Sequence, residues 1–237
     1  MTFYSFSCII SIILFTISFN LAKKRSTPVN GFEKQELETQ GMMSRLFGSK
    51  PGHNALVEIN NFLAESTAAT ELTEEIVSNF IKNWGAKFDS SNIEYRSSMY
   101  RKVADYVYIS AVSKDDPVFE ETRHLAQVLE LPEKLQRLAD NGAKKVAYFS
   151  RCRKIISGEE PLTISEINNV FGYDYEDGYD IRVQVFHDYL NKKFDEIAEQ
   201  QRFSPDEETA LREICTKLDI PYEFKPNIQN ALDKYRY

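Results

Sequence analysis

The stretch NIEYRSSMYRKVADYVYISAV, residues 92–112, decides the fold class. Its apolar or small residues fall at Ile93, Ser97, Tyr100, Ala104, Val107 and Ala111, separated by 4, 3, 4, 3 and 4 positions. That spacing follows one face of an α-helix and not the strict alternation of a half-buried strand. Ser91 and Glu94 stand in capping-box register at its start. There a hydroxyl and a carboxylate can each satisfy a backbone N–H that the first turn leaves without a carbonyl.

Outward from this stretch the same signals recur. Thr73-Glu74-Glu75 opens a helix that ends near Trp84-Gly85. Asp116-Pro117 pairs a cap with a proline, and Glu120 and Glu121 follow where the helix dipole favours anions. Thr163 and Glu166 form another capping box, and Ser204-Pro205-Asp206-Glu207 combines cap, proline and capping-box Glu. Between them, Asp180 to Gln201 carries Val183, Phe186, Leu190, Phe194 and Ile197 at helical spacing. The pattern predicts about eight helices. Lys154-Ile155-Ile156, ahead of Ser157-Gly158, is the one segment with an extended reading. The chain has only 9 glycines in 237 residues, too few for the many turns of a sandwich or barrel. The expected fold is an all-α multi-helix bundle.

Two segments match at an offset of 89 residues. Thr122, Leu125, Ala126, Leu129, Leu131 and Pro132 align with Leu211, Ile214, Cys215, Leu218, Ile220 and Pro221. Beyond the proline, Leu135, Ala139, Ala143 and Val146 meet Phe224, Ile228, Leu232 and Tyr235. Each unit reads as a helix, a proline-marked turn and a second helix, near residues 116–156 and 204–237. A lone pair of this kind exposes an apolar face and needs a neighbour to cover it.

The chain begins differently. No charged residue occurs from Thr2 to Ala22, and Lys23, Lys24 and Arg25 follow. About 20 apolar residues suffice to span a bilayer as a helix. Residues 1–25 therefore read as a hydrophobic helix. Through residues 3–22 it would anchor the chain to a membrane, with the basic cluster keeping the remainder cytoplasmic. A cleavable signal peptide lacks its basic start and fits less well. Translation from Met42 or Met43 would instead make the first residues an extension and the protein cytoplasmic. Residues 26–52 read as a polar linker and 53–237 as the helical domain.

A net charge of -7 disfavours binding to nucleic acid through its phosphates. Cys8, Cys152 and Cys215 are too scattered for a disulfide framework or a paired-cysteine metal site, so a reducing compartment is the simplest setting. His53, His124 and His187 lack zinc-site spacing. No phosphate loop, dinucleotide turn or nucleophile elbow is present.

The phrase Phe203-Ser204-Pro205-Asp206-Glu207-Glu208, followed by Leu211, Ile214, Leu218 and Ile220, resembles the second half of the TerB-like helical domains of tellurite resistance. The likeness covers the last third of the chain and, more loosely, residues 92–156. Gln201-Arg202 stand where those domains have Asp-Gly, which weakens any acidic metal site carried over from them. Ile155-Ile156-Ser157-Gly158-Glu159-Glu160-Pro161 looks like an element that follows such helix pairs in some bacterial proteins. The resemblance implies stress- or membrane-associated scaffolding by helical modules.

The candidate sites follow from side-chain chemistry. Asp174, Glu176, Asp177 and Asp180 crowd one stretch and could ligate a hard cation, although Tyr179 replaces the glycine that a calcium loop requires; an aromatic loop ahead of a helix is the plainer reading. Lys144, Lys145, Arg151, Arg153 and Lys154 form the main basic run and could hold an anion, or else be a solvated helix face. Cys152 lies between Arg151 and Arg153, where cations favour a thiolate; a packed helix-face cysteine is the plainer reading. Tyr106, Tyr108, Phe186 and Tyr189 are candidate anchors for a partner or part of the core. No catalytic residue and no cofactor is singled out. The expected function is a non-enzymatic helical module that binds a protein partner or itself. The alternatives are an acidic-loop metal-binding or hydrolytic protein and a homo-oligomeric structural protein.

Overall fold

The computed structural model describes residues 32–37, 52–85, 87–88, 92–224 and 226–236. The apolar run at 3–22, most of the linker and Ser91 of the first capping box lie outside the described residues. Among the described residues the fold is all-α, with nine α-helices and no sheet. They are α1 (Gly52–Glu65), α2 (Glu74–Trp84), α3 (Ile93–Ser110), α4 (Val118–Val128) and α5 (Glu133–Ser157), then α6 (Ile164–Phe171), α7 (Tyr175–Gln200), α8 (Pro205–Lys217) and α9 (Pro226–Tyr235). A short 3₁₀ turn, Ala69–Glu71, precedes α2.

The chain divides into two compact units. The first holds the described residues up to Tyr106 together with Val118–Ala139. The second holds Val107–Pro117 and the described residues from Asp140 onward.

In the first unit α1 packs on α2, and α4 packs on the 3₁₀ turn. Leu56, Ile59, Leu63, Val77, Tyr100, Val103, Leu125 and Leu129 are buried there. Removing such apolar surface from water is the main force holding the helices together, at about 1.5–3 kcal/mol for each large side chain. Several polar groups inside this unit are held by carbonyl oxygens. Arg96 donates to the carbonyls of Leu129 (2.6 Å) and Glu130 (3.0 Å), which follow the last turn of α4 and have no partner within the helix. The Arg96 guanidinium also lies 4.7 Å from the centre of the Phe88 ring. His124 Nε2 lies 2.7 Å from the Leu72 carbonyl.

In the second unit α7 packs on α8 and α9. Its core includes Ala143, Ala147, Tyr148, Cys152, Ile167, Phe171, Leu190, Ile197, Leu211, Leu218 and Leu232. The Tyr148 hydroxyl donates to Asn168 Oδ1 (2.7 Å) and accepts from Arg182 (3.0 Å), which joins α5, α6 and α7. Arg151 donates to the carbonyls of Ile109, in the last turn of α3, and Ala111, just past it, and pairs with buried Glu160 at 3.6 Å. Phe203 N–H donates to the Tyr235 carbonyl (2.8 Å), beside an isolated bridge to Arg236.

The helix starts at Thr73, Thr163 and Ser204 have the side-chain caps expected of them. The two turns of the 89-residue repeat share one geometry. Glu130 (φ 49°) and Asp219 (φ 52°) both occupy the left-handed region. Leu131 N–H donates to the Ala126 carbonyl at 3.0 Å, and Ile220 N–H to the Cys215 carbonyl at 3.0 Å. Glu130 N–H reaches Gln127 (2.9 Å) as Asp219 N–H reaches Thr216 (3.1 Å). The match ends after the prolines: α5 begins at Glu133, whereas α9 begins only at Pro226, so Phe224 lies ahead of its helix and Leu135 within one.

Three expectations are corrected. Lys154-Ile155-Ile156 is helical, because α5 runs unbroken to Ser157. The helix expected from Asp180 begins five residues earlier, because the Asp174 and Asp177 carboxylates cap its first turn reciprocally. The expectation of a membrane span is corrected for the described residues: none of their helices is long and apolar enough to cross a membrane, and the run at 3–22 lies outside them. The long helices α5 and α7 carry ionisable side chains along their whole length.

Candidate functional site

One cleft of the second unit lies between the end of α5 and the middle of α7. Arg153, Ile156 and Ser157 line it from α5, and Val185, Asp188, Tyr189, Asn191 and Lys192 from α7. The spacing explains the assembly. Positions 153, 156 and 157 share one face of α5, and 185, 188, 189 and 192 share one face of α7. The space measures about 580 Å³, within the range of ligand pockets. Its wall is apolar at Ile156 and Val185, with half-buried Tyr189 beside them. The rim carries two cations, Arg153 and Lys192, and one anion, Asp188. All three are exposed and outside the ion pairs formed among the described residues.

Two candidate residues from separate parts of the sequence thus meet here: Arg153 from the basic run and Tyr189 from the aromatic set. Their companions behave differently. Lys144 donates to the Phe171 carbonyl at the end of α6 (2.9 Å), and Arg151 is buried on the carbonyls at the end of α3. Lys145 and Lys154 are exposed outside the cleft. The basic run is therefore divided between inward carbonyl partners and solvent, not gathered into one anion site. Tyr108 is buried against Phe171 and Lys144, and burial, with Asp140 and Tyr173 nearby, raises its hydroxyl pKa. Phe186 is buried and stacked on Phe224 at 6.0 Å. Tyr106 is half-buried outside the cleft. Tyr108 and Phe186 are core residues in place of surface anchors.

The acidic stretch forms the first turn of α7. Asp177 N–H donates to Asp174 Oδ1 (2.9 Å), and Asp174 N–H to Asp177 Oδ2 (3.0 Å). Glu176 and Asp180 are exposed beside them. Among the described residues no group of three or more His, Cys, Asp or Glu is placed to hold a metal ion. Cys152 is fully buried, and burial pushes its thiol up to about 12, against the thiolate that flanking cations would favour.

Two further clefts open in the second unit. One, of about 480 Å³, lies among Ile155, the Gly158–Ser165 segment and the Thr216–Asp219 turn. The other, of about 250 Å³, is lined by His187, Phe186 and Phe224 among others. Sequence reasoning did not reach Ser157, Val185, Asp188, Asn191 or Lys192. Helical spacing on α7 could have grouped the last residues on one face, but spacing alone does not say which face is left uncovered.

No protein-family model matches the chain, and neither the curated proteins nor the solved structures provide a match.

Proposed function

We propose that this chain acts by binding, as a helical interaction module that receives a protein partner in the cleft between α5 and α7. The single observation that carries this reading is the meeting of Tyr189, Ile156 and Val185 with two cations that are unpaired among the described residues. An aromatic anchor with apolar neighbours and a charged rim is the composition expected of a binding hot spot. The matched turns at Glu130 and Asp219 support a duplicated helix pair as the underlying module. The TerB-like phrase from Phe203 to Ile220 covers α8 and the second of these turns, which supports a stress-related scaffold.

The test is photo-crosslinking from position 189. A benzophenone side chain at Tyr189 should form a discrete adduct, identified by mass spectrometry, that disappears when Arg153 and Lys192 are both changed to Ala. The same probe at exposed Glu199 should not form it. Equal adducts from both positions, or none from 189, would overturn the proposal.

A further inference from the structure

The cleft and the acidic turn lie on the same helix and carry opposite charge. Glu176 and Asp180 are exposed, and neither belongs to the reciprocal cap of Asp174 and Asp177. Tyr175, between Asp174 and Glu176, keeps 43% of its surface exposed although one face of its ring covers Arg182. The turn therefore presents carboxylates around a partly exposed aromatic ring. The cleft presents Arg153 and Lys192 around an apolar wall.

The two cannot meet within one copy. Along α7 the turn near Asp177 stands roughly 20 Å from the cleft near Leu190, at 1.5 Å per residue. A continuous helix holds them at that distance. We infer that the occupant of the cleft is the acidic first turn of α7 from a second copy of this chain, with Glu176 and Asp180 facing Arg153 and Lys192. The inference rests on the proposed role of the cleft as a binding site and names its partner. The contact joins two different surfaces, so a pair of copies retains one free cleft on one copy and one free turn on the other. Such head-to-tail contacts close into rings or extend into chains. Asp188 at the rim opposes an acidic occupant and limits the strength of a single contact.

The experiment is sedimentation velocity on the full-length chain at low salt and at about 0.5 M salt, where surface charges are screened. Wild-type protein should grow in mass with concentration at low salt and fall back at high salt. The cleft variant Arg153→Glu/Lys192→Glu and the turn variant Glu176→Lys/Asp180→Lys should each lose this salt-sensitive association. Mixed in equal amounts they should associate in equal proportion, because the intact turn of one meets the intact cleft of the other and the two reversed surfaces also complement each other. All four substitutions in one chain should restore self-association, which a merely unfolded variant could not do. Salt-insensitive mass in the wild type, association that both variants keep, or a mixture that stays monomeric would overturn the inference. If the wild type is monomeric while the probe at Tyr189 yields its adduct with a different protein, self-association fails and cleft binding stands. If the probe also yields nothing, both fail.

Discussion

Gly178 sits against Tyr148: a Cβ built on Gly178 would lie 2.5 Å from Cζ of the tyrosine ring. Gly178 is in the first turn of α7, and Tyr148 is in α5. The missing side chain lets the two helices approach closely enough for Arg182 to reach the Tyr148 hydroxyl. Alanine ordinarily stabilises a helical position by about 1 kcal/mol over glycine. Here crowding outweighs that gain, since overpacking a well-packed core costs about 1–3 kcal/mol. Gly178→Ala is expected to lower unfolding free energy in a denaturant titration. A variant as stable as wild type would show that the tyrosine moves aside freely.

Arg182 is fully buried and has no carboxylate partner among the described residues. Its guanidinium donates to Tyr148 Oη and to the Tyr175 carbonyl (3.1 Å), 4.5 Å from the centre of the Tyr175 ring. Lysine would keep the charge but lose the planar fork that reaches both acceptors. Methionine would remove the charge and keep most of the volume. Arg182→Lys is therefore expected to destabilise by about 2 kcal/mol or more, and by more than Arg182→Met. Thermal melts of the two variants give the order, and the reverse order would show that the charge itself is needed.

Glu130 and Asp219 hold left-handed backbone conformations that cost a side-chain-bearing residue about 1 kcal/mol and cost glycine little. Glu130→Gly and Asp219→Gly are each expected to raise stability by up to about 1 kcal/mol. Their similar geometry predicts similar gains, measured as shifts in denaturation midpoint. Opposite signs would mean that the two turns differ in more than backbone shape.

Glu207 accepts from the Ser204 backbone N–H (2.8 Å), and this bond holds its carboxyl pKa below the ordinary 4.5, with help from the Ser204 hydroxyl and Lys193. A carboxyl lowered by folding contributes stability above its unfolded pKa and loses it as pH falls through the folded value. The stability gap between wild type and Glu207→Gln should thus be present near neutral pH and close below about pH 4. Melting curves across that range check it, and a gap that is unchanged in acid would assign the effect to packing.

Much of the fold is legible in residues 92–112 and in the caps, because helical spacing and a capped first turn are local properties. Thr163 with Glu166 and Ser204 with Glu207 need only a separation of three positions between cap and partner to specify a helix start. Asp174 with Asp177 has the same separation, yet with Gly178 directly after it the stretch reads as an aromatic loop ahead of the helix. That glycine makes sense only with the Tyr148 ring in place. The candidate cleft was half legible. Tyr189 and Arg153 stand out by residue type, but neither pattern says that they share a wall.

Sequence alone thus determined the all-α class, most helix starts and the matched turns, since each depends on neighbours within a few positions. Tertiary structure decided which polar side chains turn inward and which remain at the surface. Arg151 and Arg153 are two residues apart, and one is buried on carbonyls while the other borders a cleft. A helix turns about 100° per residue, so residues two apart face opposite sides, and only the packing of the neighbouring helices decides which side meets water.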